Sequence, residues 1–464
     1  MNTPICSFVE KYAESESVRM HMPGHKGHGA EHYSRDITEI DGADSLYEAN
    51  GIIMESERNA GELFGADTFY STEGSSLAIR AMLYLAVIYA KERSRSARIL
   101  AARCAHKTFV GAAAMLGINV DWIYKEDSYL SCRLTAEDVA TGLDSCDELP
   151  IAVYVTSPDY LGITSDIEGI ARVCRERDVL LIVDNAHGAY LKFLPVSRHP
   201  IDLGADMCCD SAHKTLSVLT GGAYLHISKK APAVLAERAR GALSLFGSTS
   251  PSYLILASLD AANLALSLGY REALASVTER IGDIKARLIS HGYTLVGDEP
   301  MKLTVYTKPY GYRGDDFARL LCEGGIIPEF SDPDFTVLMP SVDTDGAELS
   351  RLLDVMLSVP RLGAIEELPP RLSLPKTVTS IREAVLSPSE VLPVSDCVGR
   401  VLSQVTVGCP PAVPIVVSGE MIDESHIALF KYYGIETCAV LRAPNASNNA
   451  WFSREKRRKP YCTV

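Results

Sequence analysis

Asp206 to Ala223 places Ser211, His213 and Lys214 between two apolar segments, just ahead of a Gly221-Gly222 turn. Upstream, the apolar run Val179 to Val183 ends in Asp184-Asn-Ala-His-Gly188. A strand that ends in an acid, paired with a polar turn carrying one lysine, suits a site for pyridoxal 5'-phosphate (PLP). The lysine forms an imine with the aldehyde, and the acid pairs with the ring nitrogen and keeps it protonated, so that the ring withdraws electrons. Ser-x-His-Lys alone is a short pattern, and most lysines are solvated surface groups. Asp184 is the residue that gives it weight.

The elements that must position these groups follow from the hydrophobic pattern. Gly74, Ser75 and Ser76 stand at the start of an apolar helix predicted over 77–90. A Gly-Ser-Ser turn there offers free backbone N–H groups, two hydroxyls and the positive end of the helix dipole to a phosphate; a plain N-cap is the alternative reading. Strands are predicted over 98–101, 150–156, 179–183 and 223–227, and helices over 109–116 and 167–177. Short apolar runs alternating with amphipathic helices argue an α/β fold with a mostly parallel sheet covered on both faces. Ligands of such sheets sit at the carboxyl ends of the strands. Ser157, Asp184 and the turn Ser211 to Lys214 are therefore expected to share one crevice.

A helical region over 254–290, clearest from 253 to 268, leads to a small α+β unit with strands over 303–306 and 335–339 and a helix over 315–323. The segment 363–376 holds three prolines and reads as a linker. The expected organisation is an N-terminal arm (1–55), a large domain (56–290), a small α+β domain (291–365) and a C-terminal domain (366–464).

The formal net charge of −14 argues against nucleic acid or an anionic membrane as partner. The twelve cysteines contain no C-x-x-C pair, and Cys174, Cys208, Cys322 and Cys438 lie in apolar or helical-looking stretches. They read as reduced core residues of a cytoplasmic protein. No secretion signal and no apolar run near the ~20 residues of a membrane span is visible. The Asn445-Ala-Ser447 sequon is read as chance and the basic run 454–459 as a solvated terminus. In the arm, His21, His25, His28 and His32 invite a metal, but Pro23, Gly24, Gly27 and Gly29 break any helix that could align them, so no metal site is expected.

In this order the motifs resemble those of the bacterial ornithine/lysine/arginine decarboxylases of PLP fold type I, in a short form without an N-terminal receiver-like domain. Met20-His-Met-Pro-Gly-His-Lys26 is similar to the family's arm motif, and Phe64-Gly-Ala-Asp67 with Gly74-Ser-Ser76 to its phosphate loop. His106-Lys107, Asp184 to Gly188, Ser211 to Thr215 and Ser248 to Tyr253 match in turn. So do Arg382-Glu-Ala384, Val398-Gly-Arg400, Pro410 to Pro414 and Gly419-Glu420 near the end. The chain departs from the pattern at Asp159, Asn185, Gly221-Gly222, Ala412 and Ser418.

The resemblance implies a homodimeric PLP decarboxylase acting on a basic amino acid, an activity of polyamine biosynthesis. Lys214 would carry the cofactor, Asp184 would face the ring nitrogen and His106 would stack on the ring. Ser75, Ser76 and Ser211 would hold the phosphate, His187 would lie at the ring oxygen or carboxylate, and Lys214 or His213 would return the proton to Cα. Thr249 and His25 would reach a partner's site. Glu329, Asp41, Asp44 and Glu48 are candidates for the substrate's cationic tail. Another fold type I reaction, such as amino transfer or elimination, and a non-catalytic PLP-binding paralogue remain as alternatives. Neither nucleotide-binding glycine motif, G-x-x-x-x-G-K-[ST] or G-x-G-x-x-G, occurs.

Overall fold

The structure, a computed structural model, describes residues 1–124, 133–409 and 413–443. The sequon at Asn445, the basic run 454–459 and the positions Pro410 to Ala412 lie outside the described residues.

Seven strands form the central sheet: β1 (Ala66–Ser71), β2 (Arg98–Ala102), β3 (Asn119–Ile123), β4 (Ala152–Thr156), β5 (Leu180–Asp184), β6 (Met207–Asp210) and β7 (Ala223–Ser228). Their order is β1-β7-β6-β5-β4-β2-β3. Strands β2 to β6 run parallel, and β7 runs antiparallel to both β6 and β1. The sheet is mostly parallel, as the hydrophobic pattern predicts. The pattern misses β1 and β3 because both are edge strands. Asp67 and Asn119 face solvent there, and no continuous apolar run marks either strand.

Thirteen helices matter here: α1 (Pro4–Ala13), α2 (Ile52–Phe64), α3 (Gly74–Glu92), α4 (Lys107–Leu116), α5 (Ala136–Ser145), α6 (Ile167–Glu176), α7 (Pro200–Leu203), α8 (Ala212–Thr215), α9 (Ala233–Phe246), α10 (Tyr253–Ser267), α11 (Tyr270–His291), α12 (Gly314–Glu323) and α13 (Gly346–Ser358). Helices α3, α4 and α9 cover one sheet face through Leu180, Ile182, Cys209 and Leu225. Helices α5 and α6 cover the other through Leu181, Val183 and Cys208. Strand β5 is thus apolar on both sides, and only its last residue, Asp184, is charged. Fully burying one such aliphatic side chain stabilises by about 1.5–3 kcal/mol, so the strand end is held firmly.

The predicted arm contains a helix that its sparse apolar pattern does not announce. Helix α1 buries only Ile5 and Val9 besides its opening Pro4, and the carboxylate of Asp260 caps it by accepting from the N–H groups of Ile5 and Cys6 at 2.9 and 3.0 Å. Beyond α1 the arm is mostly turn, with Val18, Met20 and Met22 exposed. Helices α10 and α11 are separated at Gly269. No single helix among the described residues is long and apolar enough to cross a membrane.

A second sheet, order β10-β11-β9-β8, is antiparallel: β8 (Thr294–Val296), β9 (Leu303–Tyr306), β10 (Phe330–Ser331) and β11 (Phe335–Leu338). Following it, short antiparallel pairs build the C-terminal segment. Arg103, at the end of β2, ties that segment to the large sheet through a buried two-pronged pair with Glu420, at 2.8 and 2.7 Å. Ser418, one of the departures, is buried and donates to Gln404 and Val405. Cys174, Cys208 and Cys438 are free and buried, whereas Cys322 is free but exposed on α12 rather than in the core.

Candidate active site

The carboxyl ends of β2, β4, β5 and β6 point the same way, and the chain leaves each of them with a polar residue. Asp184 closes β5 and is 2 % exposed. Its carboxylate accepts from the Tyr154 hydroxyl at 3.1 Å, from the N–H of Ala186 at 3.2 Å and from the Cys209 thiol at 3.6 Å. Ser211 follows β6 directly and opens the single turn of α8, which carries His213 and Lys214.

The Lys214 amine lies 3.1 Å from Nε2 of His187. Burial lowers its pKa, while Asp184, Glu329 and Cys209 pull the other way. A less basic amine is more often neutral, the form that attacks an aldehyde. Burial also drives the pKa of His187 well below the ordinary imidazole value, and the neighbouring charges of Lys302 and Lys214 push it further. His106 caps α4, its Nδ1 lying 3.2 Å from the N–H of Thr108. It faces the open crevice, yet the crevice walls strip enough hydration to lower its pKa against the pull of Asp184.

Hydroxyls gather at the start of α3. Ser211 Oγ is 2.7 Å from Ser75 Oγ, and Ser76 Oγ is 3.2 Å from Thr108 Oγ1. Gly74 turns the chain into the helix at φ 68°, and its N–H donates to the carbonyl of Gly221 at 2.7 Å. That clasp needs glycine at 221: φ is 100°, and a Cβ would sit 2.8 Å from the carbonyl oxygen of Thr72. The N–H groups of Ser75 and Ser76, in the first turn, have no acceptor within the helix. His213 is drawn to the same turn, with its backbone N–H and its Nδ1 at 3.1 and 3.0 Å from the carbonyl of Gly222.

The fold thus brings together Gly74, Ser75, Ser76, His106, Asp184, His187, Ser211, His213 and Lys214. It leaves Thr249 apart: that residue is exposed on a turn whose Ser248 N–H donates to Glu73 at 2.6 Å, beside the start of α3. His25 is occupied within the arm, 3.1 Å from Asp36 and stacked on Tyr33. Of the four acids considered for a substrate tail, Glu329 stands at the crevice, accepting from the Tyr160 hydroxyl at 2.9 Å. Asp44 instead organises its own loop, accepting backbone N–H groups from Ser45, Asn50, Gly51, Ile53 and Met54, which hold its pKa low against burial. Asp41 and Glu48 are both exposed to solvent.

Sequence reasoning missed four contributors. Tyr154 and Tyr160 look like ordinary strand and loop aromatics, and Lys302 reads as a charge flanking an apolar run. The fourth is a closed network around Asp210, which accepts from Asn185 at 2.6 Å and lies 3.0 and 3.2 Å from Nε2 of His199 and His226. No local pattern marks any of them, because each partner comes from a distant segment.

The donor set fits a phosphorylated pyridine aldehyde. Hydroxyls and helix-end N–H groups crowd one end of the site, a buried acid lies deep in it, and a lysine of lowered basicity stands beside a neutral histidine. The large sheet with its lysine after β6 and its acid at the end of β5 defines the class of PLP-dependent enzymes of fold type I. The chain belongs to the Orn/Lys/Arg decarboxylase family: residues 3–297 match its major domain and residues 369–443 its C-terminal domain. An arginine decarboxylase of Halalkalibacterium halodurans is 31% identical over 92% of this chain and 93% of its own length. One from Bacillus subtilis is 28% identical over the same shares. The crystal structure of the Francisella novicida lysine decarboxylase LdcF superposes with a TM-score of 0.78 at 18% identity, covering 95% of this chain and 81% of that one. A NifS-like protein superposes with a TM-score of 0.52 at 14% identity, covering 68% of this chain and 90% of its own.

Proposed function

We propose that this chain is a PLP-dependent decarboxylase whose substrate is arginine. The observation that carries the reading is the pairing of Lys214 and His187 at 3.1 Å beside the buried carboxylate of Asp184. The names of the curated relatives at 26–31% identity, four of them arginine decarboxylases, support the choice of substrate. PLP, when bound, supplies an electron sink for the bond to the substrate's α-carboxylate.

The rest falls to the chain's own residues. Lys214 holds the cofactor covalently. Asp184 keeps a proton on the ring nitrogen, and its own position is kept by Tyr154 and Ala186. Ser75, Ser76 and Ser211 hold the phosphate together with the start of α3, and Gly74 makes the turn that lets them converge. His106 would lie over the ring face. His187 donates toward the ring substituent next to Lys214. Lys214 or His213 delivers the proton to Cα. Glu329, steadied by Tyr160, takes the guanidinium, a planar group suited to a carboxylate partner.

Two copies complete the site in this reading. Thr249 is exposed beside the start of α3, and the arm exposes Met20 at 85% and Val18 at 77%, as expected of residues that meet a second subunit rather than water.

Purified protein loaded with PLP and given arginine, lysine and ornithine in turn tests the activity. The expected result is agmatine and CO₂ from arginine and much less amine from the other two. Amine from lysine or ornithine alone overturns the substrate, and a keto acid in place of an amine overturns the reaction class. Borohydride reduction should fix PLP to the Lys214 peptide and no other.

A further inference from the structure

Lys302 immediately precedes β9 in the second sheet, yet its side chain reaches the large-domain crevice and is only 5% exposed. Its Nζ lies 3.0 Å from the carbonyl oxygen of Tyr160, 3.4 Å from that of Asp159 and 3.4 Å from Nδ1 of His187. An ammonium has three N–H bonds, and here it meets three acceptors. The Tyr160 ring adds a fourth contact, its centroid 5.6 Å from Nζ. If Nδ1 of His187 accepts from Lys302, the ring's one proton is on Nε2, the nitrogen 3.1 Å from Lys214.

We infer that Lys302 is a positioning residue, which holds His187 as the neutral Nε2–H tautomer and aims that N–H at Lys214 and the group Lys214 carries. The inference deepens the functional reading above, on which its meaning for catalysis rests. The placement also ties the second sheet to the chemistry, because the lysine belongs to one domain and the histidine to the other.

The charges around the pair agree with a cationic Lys302. Glu299, on the same segment, accepts from the backbone N–H groups of Met301 and Lys302 and from the Tyr190 hydroxyl. Asp159 follows β4, and Glu329 precedes β10. Lys214 and His213 from α8, and His106 from the start of α4, face His187 from the crevice side and oppose its protonation. Burial lowers Lys302 to about 8, with Glu299 and Asp159 acting against the fall. The cation therefore persists at neutral pH and is lost above that value. Asp159, one of the positions at which the chain departs from the motifs it resembles, is one of the acids that keep it.

The test reads the tautomer directly. Full-length protein labelled with nitrogen-15 at histidine is followed by long-range proton–nitrogen correlation with and without PLP, and His187 is assigned by its loss in His187→Gln. The wild type should show a neutral Nε2–H ring from about pH 5 to about pH 8, the range in which an ordinary imidazole titrates. Lys302→Met should populate both tautomers and raise the pKa of His187 by about one unit or more, the effect of removing one adjacent charge. Lys302→Arg, which keeps the charge, should retain the Nε2–H form. A wild-type ring protonated at Nδ1 overturns the inference, as does a Lys302→Met protein whose His187 signals and titration match the wild type. If Lys302→Met does not fold, the wild-type tautomer and the arginine variant still decide. Because the measurement needs no turnover, a protein inactive on every amino acid would defeat the functional reading and leave this one standing.

Discussion

Two buried carboxylates end neighbouring strands of the central sheet, Asp184 on β5 and Asp210 on β6, with exposures of 2% and 0%. Asp184 has a hydroxyl, one N–H and a thiol around it, and it acts electrostatically on Lys214 and His106 across the crevice. Asp210 is closed off by Asn185, His199 and His226, and Thr68 supports the far nitrogen of His226 at 2.8 Å. Burial works to raise its pKa, but the two histidines and their hydrogen bonds hold it well below the ordinary carboxylate range. The pair shows that a strand-end acid is read by what remains open to it. Asp184 faces a site, whereas Asp210 is saturated and serves as scaffold.

The sharpest way to break this contrast is to neutralise each acid in turn. Asp184→Asn should lower kcat by about 10²–10³-fold, the range for losing one preorganised electrostatic group, with a smaller effect on KM and on the thermal midpoint. Steady-state kinetics on the PLP-loaded protein check it, and a kcat within tenfold of the parent would remove Asp184 from the ring nitrogen. Asp210→Asn should do the reverse. Its amide oxygen cannot serve all three donors, and an unmatched polar group is left in a fully buried place. The expected loss is about 3 kcal/mol of unfolding free energy, the lower end for breaking a buried charged pair, measured by denaturant titration. A variant as stable as the parent would mean that Asp210 is not scaffold.

The contrast also shows what the sequence could carry. Asp184 and Lys214 were legible because each lies at the end of an apolar run, within one contiguous motif. Strands β4 and β5 were legible for the same reason. The partners that separate the two acids were not. Asp210 and His226 are brought together by the β6–β7 pairing, His199 comes in from the N-cap of α7, and Tyr154 reaches Asp184 across the β4–β5 register. Asp44 looked as good a tail acid as Glu329 until the fold showed its oxygens filled by loop N–H groups. Helix α1 was invisible because it buries so little, and it stands by leaning on α2 and α10 and on the cap from Asp260.

Acid should expose the scaffold role by degrees. A carboxylate whose folded pKa is depressed contributes stability that is present above its unfolded pKa and is lost as pH falls toward the folded value. For Asp210 the loss begins below about pH 4. The stability gap between parent and Asp210→Asn should therefore be constant near neutrality and narrow by about 1.4 kcal/mol per pH unit below about 4. Denaturant titrations of both proteins across that range check it. A gap that stays constant down to acid pH would mean that the aspartate's charge contributes nothing to the difference.

The smallest effect, and the most specific, lies in Asn185, one of the positions at which the chain departs from the motifs it resembles. Its side-chain amide donates to Asp210 at 2.6 Å, while its Oδ1 is buried without a hydrogen-bond partner. Asn185→Asp alone would set two carboxylates together, so one must take a proton and its pKa must rise. That variant should be less stable than the parent at neutral pH and recover as the pH falls toward about 5, where a raised carboxylate takes up its proton. Asp210→Asn alone faces amide against amide. With both changes the two groups trade places: the amide now on β6 can donate to the carboxylate now following β5, and a donor again meets an acceptor. The double variant should then be more stable than the sum of the two single losses predicts, by about 1–2 kcal/mol, the range for coupled neighbours in one hydrogen-bond network. Denaturant titrations of the parent, the two single variants and the double variant at one neutral pH give that coupling. Strictly additive losses would mean that positions 185 and 210 do not share the charge, and that Asp210 stands on its histidines alone.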